Sequence, residues 1–84
     1  MKAKKIHKVE HRKLGKERAW GLAHLDENKI SIDPKLSGYR YLLILIHEHL
    51  HLCYPDWSET KVHKQASKTA RFLWQMGFRY TELK

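Results

Sequence analysis

The sequence predicts an α+β domain: a small antiparallel β-sheet of two or three strands packed on a central helix, followed by a second, C-terminal helix. Three observations carry that expectation. Lys29-Ile30-Ser31-Ile32-Asp33 alternates polar and apolar residues, as a strand with one buried face should. Leu42-Leu43-Ile44-Leu45-Ile46 is an unbroken aliphatic run, too short to span a membrane and ending in His47-Glu48, so it reads as the middle of a buried helix. Val62, Ala66, Ala70 and Leu73 recur at helical spacing and mark the buried stripe of another helix. With 84 residues there is room for one domain and one small core, and no repeat, low-complexity segment or linker interrupts it.

Each element has its own local signals. Residues 1–18 are dense in Lys, Arg and His, and Ile6 and Val9 are the strong apolar residues that suggest a strand over 5–10. Gly15 suggests a turn. Trp20, Leu22 and Leu25 suit a half-buried strand over 19–25, irregular near Gly21, and the turn Asp26-Glu27-Asn28 joins it to the strand over 29–33 as a hairpin. Pro34, with no N–H to give a ladder, ends that strand. Ser37 is placed to cap a helix over 38–54 that Pro55 stops. Asp56 can cap the next helix with Glu59 as the capping-box acid, and Ser58 competes for the same role. Gly77 stops this helix, with Phe78 set to close a Schellman ending on Leu73.

The chain carries 17 Lys and Arg against nine acids, a formal net charge of +8. Such a balance favours polyanions or acidic proteins and makes the basic N-terminal region a candidate for weak nucleic-acid binding, although no recognition motif accompanies it. The single cysteine, Cys53, excludes an intramolecular disulfide and fits a reducing compartment. No apolar signal region follows Met1-Lys2-Ala3-Lys4-Lys5, so a cytoplasmic protein without membrane association is expected. Cys53 falls off the face shared by His47 and His51 and is expected to pack the helix rather than bind metal.

The chemistry concentrates in His47-Glu48-His49-Leu50-His51, which fits H-E-x-x-H. Residues four apart lie one turn above each other on a helix, so His47 and His51 can converge on one Zn2+ through imidazole nitrogens. Glu48, beside that face, can act as general base. The bland alternative is a solvated, His-rich helix end.

A catalytic zinc takes a third protein ligand, and Asp56, Glu59 and His63 are the candidates. Glu59 is favoured, as an acid on the buried side of the second helix's first turn that needs a counter-charge; the alternative is a capping acid and nothing more. His63 is then a partner of the ligands, a donor to a developing oxyanion, or itself the ligand. Tyr54 is placed either near the metal or as a packing aromatic at the helix end. His49 points away from the His47/His51 face and receives no role. Tyr39, Tyr41, Trp57, Phe72 and Trp74 read as core or surface aromatics.

The run from His47 to His51, then Tyr54-Pro55-Asp56-Trp57-Ser58-Glu59-Thr60-Lys61-Val62, Ala66, Ala70, Leu73-Trp74 and Gly77-Phe78-Arg79 resembles the small H-E-x-x-H metallopeptidase-like proteins of phages and prophages. These are similar to minimal gluzincins, in which a glutamate on the following helix is the third zinc ligand. The resemblance covers about half of the chain, from Leu42 to Arg79. It implies a zincin-like fold, His47, His51 and Glu59 as zinc ligands, Glu48 as base, and peptide or protein substrates. By the same likeness an edge strand, either 29–33 or 20–25, would hold the substrate, and the tail 78–84 could fold back over the cleft and leave the enzyme latent. A related group places a third His soon after the motif, but here the position six residues after His51 is Trp57.

The expected function is therefore zinc-dependent peptide-bond hydrolysis, by a metalloendopeptidase. The alternative is a non-catalytic, zinc-stabilised module that engages nucleic acid or a protein partner through its basic surface.

Overall fold

The computed structural model describes residues 6–81, so Lys2, Lys4, Lys5, Glu82 and the last two residues fall outside the account. Its elements run β1 (Lys8–His11), a 3-10 turn (Gly15–Glu17), β2 (Gly21–His24), β3 (Lys29–Ile32), α1 (Gly38–Cys53) and α2 (Glu59–Gln75). The α+β class is as the sequence predicts. No helix is long and apolar enough to cross a membrane among the described residues.

The sheet departs from the all-antiparallel expectation. Its order is β1-β3-β2, with β2 antiparallel to β3 through the hairpin but β1 parallel to it. A parallel neighbour needs a long return path, and the chain from β1 through the 3-10 turn and β2 provides one. β3 takes the centre because Ile30 and Ile32 are buried against α1 while Ser31, on the other face, is also closed off from solvent. Trp20 and Leu25 fall just outside β2 and are exposed, contrary to a half-buried stripe, and Trp20 instead lies under the Arg40 guanidinium.

On the outer sheet face His24 and Ser31 are hydrogen-bonded, and the Ser31 hydroxyl donates to Glu10 at 2.6 Å. That bond and the Arg12 guanidinium hold the Glu10 carboxyl down at about 2. Asp33 orders the exit from the sheet. Its two carboxylate oxygens accept the backbone N–H groups of Leu14 and Lys35, at 3.0 and 2.9 Å, which pins the loop after β1 to the end of β3 and holds the Asp33 carboxyl below its usual range.

α1 is the middle layer. The sheet packs on it through β2 and β3, α2 packs on its other side, and α2 and the sheet do not pack on each other. Two apolar clusters result, in place of the single core expected. Ile30, Ile32 and Leu36 meet Tyr41, Ile44, Leu45 and Leu52 on one side, and Val62, Ala66 and Ala70 meet Ile46 and Leu50 on the other. A helix with neighbours on both sides must be apolar almost all round, which accounts for the run Leu42 to Ile46.

α2 begins two residues later than the capping box over Asp56 would place it. Ser58 is the cap, its hydroxyl accepting the Lys61 N–H at 3.1 Å, so Glu59 is the first helical residue and its side chain is free of capping duty. At the other end Gly77, at φ 92°, lets the Gly77 and Phe78 N–H groups return to the carbonyls of Trp74 and Leu73. This is the backbone pattern of the Schellman ending, although the Phe78 side chain is exposed.

Ala66 and Ala70 are fully buried where the two helices meet. Enlarging one should wedge them apart: Ala66→Leu is expected to cost about 1–3 kcal/mol of stability, read from urea unfolding midpoints.

Candidate metal centre

The three side chains favoured for the metal come together across the α1–α2 interface. His47 and His51, one turn apart on α1, face each other with their Nε2 atoms 3.2 Å apart. Glu59, at the start of α2, places Oε1 at 2.7 Å from His47 Nε2 and Oε2 at 3.0 Å from His51 Nε2. All three ligand atoms lie within 4.8 Å of one another. Two imidazole nitrogens and a carboxylate aimed at one point are the donor set of a catalytic zinc site with an open position, so the residues present fit that ion.

Glu59 reaches this position for a reason other than the burial expected. Its side chain is 71% exposed, not desolvated. What brings it in is the short turn between the helices: the Tyr54 N–H closes α1 onto the Leu50 carbonyl, the Trp57 N–H bonds the Tyr54 carbonyl, and Ser58 starts α2 so that its first residue sits over the last turns of α1.

The other candidates stay outside. His63 is exposed, and its ring lies edge-on to that of His47 at 6.3 Å between centroids, beside the cluster rather than in it. Asp56 is exposed and absent from the converging set. Tyr54 stacks flat on Trp57, 4.2 Å between centroids, as a packing aromatic of the inter-helix turn.

Glu48 points to the opposite partner. It is 9% exposed and sits where β2 crosses α1. A Cβ built on Gly21 would fall 3.3 Å from Glu48 Oε2 and 2.6 Å from Ile44 Cγ2, so only glycine lets the strand come this close. Burial pushes the Glu48 carboxyl upward, against the opposing pull of His47 and His51.

Of the two strands considered for holding a substrate, β3 is excluded, because both its edges are paired within the sheet. Among the described residues β2 keeps one unpaired edge, and it carries Gly21 next to Glu48. Nor does the described part of the tail cover the cluster. Tyr80 stacks on Tyr41 at 4.5 Å, six residues before His47, where it joins His11, Leu36 and Gly38 around a concavity of about 380 Å³.

One expectation on α1 is corrected: Cys53 is exposed and does not pack the helix. His49, expected to be structural or exposed, is hydrogen-bonded to His7 and lies beside Cys53. The spacing of His49 and Cys53, four apart, was a legible signal of a shared face; the arrival of His7 from the N-terminal segment was not. No protein-family model matches the chain, and comparisons with curated proteins and with solved structures find no match either.

Two measurements probe this geometry. Glu59→Ala should lower zinc affinity by more than the roughly 10–100-fold typical of losing an outer partner, whereas His63→Ala should cost no more than about 10-fold, both by competition with a chromophoric chelator. Glu48→Gln should stabilise the metal-free protein. A carboxyl raised by burial contributes its stability while protonated and loses it as pH climbs above the ordinary 4.5, so the gain of the variant over wild type should grow from that pH towards neutrality in thermal unfolding.

Proposed function

We propose that the chain is a zinc-dependent metallopeptidase of the minimal gluzincin type, acting in a reducing compartment. The observation that carries this reading is the pair of short contacts from the Glu59 carboxylate to the Nε2 atoms of both motif histidines, 2.7 and 3.0 Å. Zinc held by His47, His51 and Glu59 would supply Lewis-acid polarisation of the scissile carbonyl and activation of a water.

The protein's own groups provide the rest. Glu48 follows His47 directly on α1 and takes the proton of the attacking water, then returns it to the leaving amine. Burial suits it to this work, since a carboxylate pushed upward is a stronger base than an exposed one. The free edge of β2 can pair with an extended peptide, and the bare Cα of Gly21 keeps the strand close to Glu48, so a peptide added there would run beside the base. Such a site favours unfolded or extended segments, because backbone pairing and not a deep pocket holds the chain.

The rival is a zinc-stabilised binding module whose net charge of +8 attracts nucleic acid. Some of that charge is already engaged: Arg12 pairs with Glu10 and Glu17, and Lys29 with Glu10 and Glu27. DNA binding that weakens steeply with salt, without peptide cleavage, would favour the rival.

The deciding assay follows cleavage of an unfolded protein by the zinc-loaded chain and by Glu48→Gln. Loss of about 10²–10⁴-fold in rate, with zinc content unchanged, is expected. Equal cleavage by both would remove Glu48 from the mechanism, and no cleavage by either would remove the peptidase reading.

A further inference from the structure

α1 carries a second pair of ligating side chains at the spacing of the first. His49 and Cys53 are four apart, as His47 and His51 are, but shifted along the chain by two residues, which turns them about 200° around the helix to its far side. There they meet His7, in the segment just before β1. His7 Nε2 is 2.9 Å from His49 Nδ1 and 3.9 Å from Cys53 Sγ, and Cys53 Sγ is 3.7 Å from His49 Nδ1.

The tautomer of His7 follows from its neighbours. The Asn28 side-chain amide donates its N–H to the Ile6 carbonyl at 2.6 Å, so its oxygen is the atom turned to His7 Nδ1, at 2.8 Å. Nδ1 therefore carries the N–H, and the neutral ring that binds a metal would hold its lone pair at Nε2. That lone pair faces His49 and Cys53. An outer hydrogen bond of this kind is how metal-binding histidines are usually oriented. Asn28 itself is fixed by the left-handed conformation of the hairpin turn, φ 50°, and its carbonyl accepts the Lys8 N–H at 3.1 Å. The turn thus grips the chain on both sides of His7.

The geometry points to a second metal site formed by His7, His49 and Cys53, which takes zinc and bolts the N-terminal segment to α1. Ligand atoms on a tetrahedral zinc lie about 3.4 Å apart for two nitrogens and about 3.6 Å for nitrogen and sulfur, close to the separations here. Two imidazoles with one thiolate suit zinc above harder cations such as magnesium or calcium. Binding releases the thiol proton to solvent, forms the zinc–sulfur bond, and leaves the fourth position for water. The structural gain falls on β1, which packs along β3 and not on α1. Side-chain bonds at either end join it to the helix, His7 to His49 and His11 to Tyr41, and the metal would replace the first with coordinate bonds.

The test titrates the reduced, metal-free full chain with Co2+. The first site has no sulfur, so a sulfur-to-cobalt charge-transfer band in the near ultraviolet reports on Cys53 alone. Two equivalents and that band are expected. Cys53→Ser and His7→Ala should each abolish the band and one equivalent, while His51→Ala should keep the band and lose the other equivalent. As a check needing no variant, Zn2+ should slow alkylation of Cys53 at least about tenfold. Wild type binding cobalt without the band, or alkylation unaffected by zinc, would overturn the site, and a band that survives in His7→Ala would overturn the bolt.

Discussion

The fold depends on one constraint: α1 is covered on two sides. A helix between a sheet and another helix cannot turn a polar face to water over its middle turns, so every polar side chain there must find a partner or leave at an end. The sequence of α1 obeys this in order. Past Arg40, whose guanidinium leaves the layer toward Trp20, its first half is aliphatic and aromatic, and the next charged or imidazole side chain is His47. His47 and His51 then meet Glu59, His49 meets His7, and Glu48 alone is pressed against the sheet.

Glu48 breaks the local rule most plainly, as a carboxylate buried where the helix meets the sheet. Burying a carboxylate destabilises its charged form, and a hydrophobic residue there would pack more favourably against Gly21 and Ile44. Its burial against Gly21, which admits it, is a cost that the proposed role of base would account for.

Much of this was legible in the residues. Periodicity placed α1 and α2, turn chemistry placed the hairpin, and the i, i+4 spacing placed the histidine pair, because these features are short-range and repeat with the period of the element. What escaped was long-range or as fine as two residues. The parallel pairing of β1 rests on where a long connection returns, which no local pattern encodes. The start of α2 turned on Ser58 outcompeting Asp56, and that two-residue shift freed Glu59 from a capping box. Glu59 was selected for a burial it does not have, and it reaches the histidines through the geometry of the inter-helix turn. The spacing of His49 and Cys53 marks a shared face of α1 but carries no sign of His7, 42 residues before His49 in the chain.

The layering has a kinetic implication. Among the described elements α2 packs on α1 and not on the sheet, so the helix–helix seam can open while the sheet stays on α1, in a sub-global unfolding that also releases Tyr80 from Tyr41 and His11. Glu59 travels with α2, while both histidines stay on α1. Each parting of that seam would take one of the three ligands away from any ion held among them, so the small residues Ala66 and Ala70, by closing it tightly, would lengthen residence time at a centre they never touch.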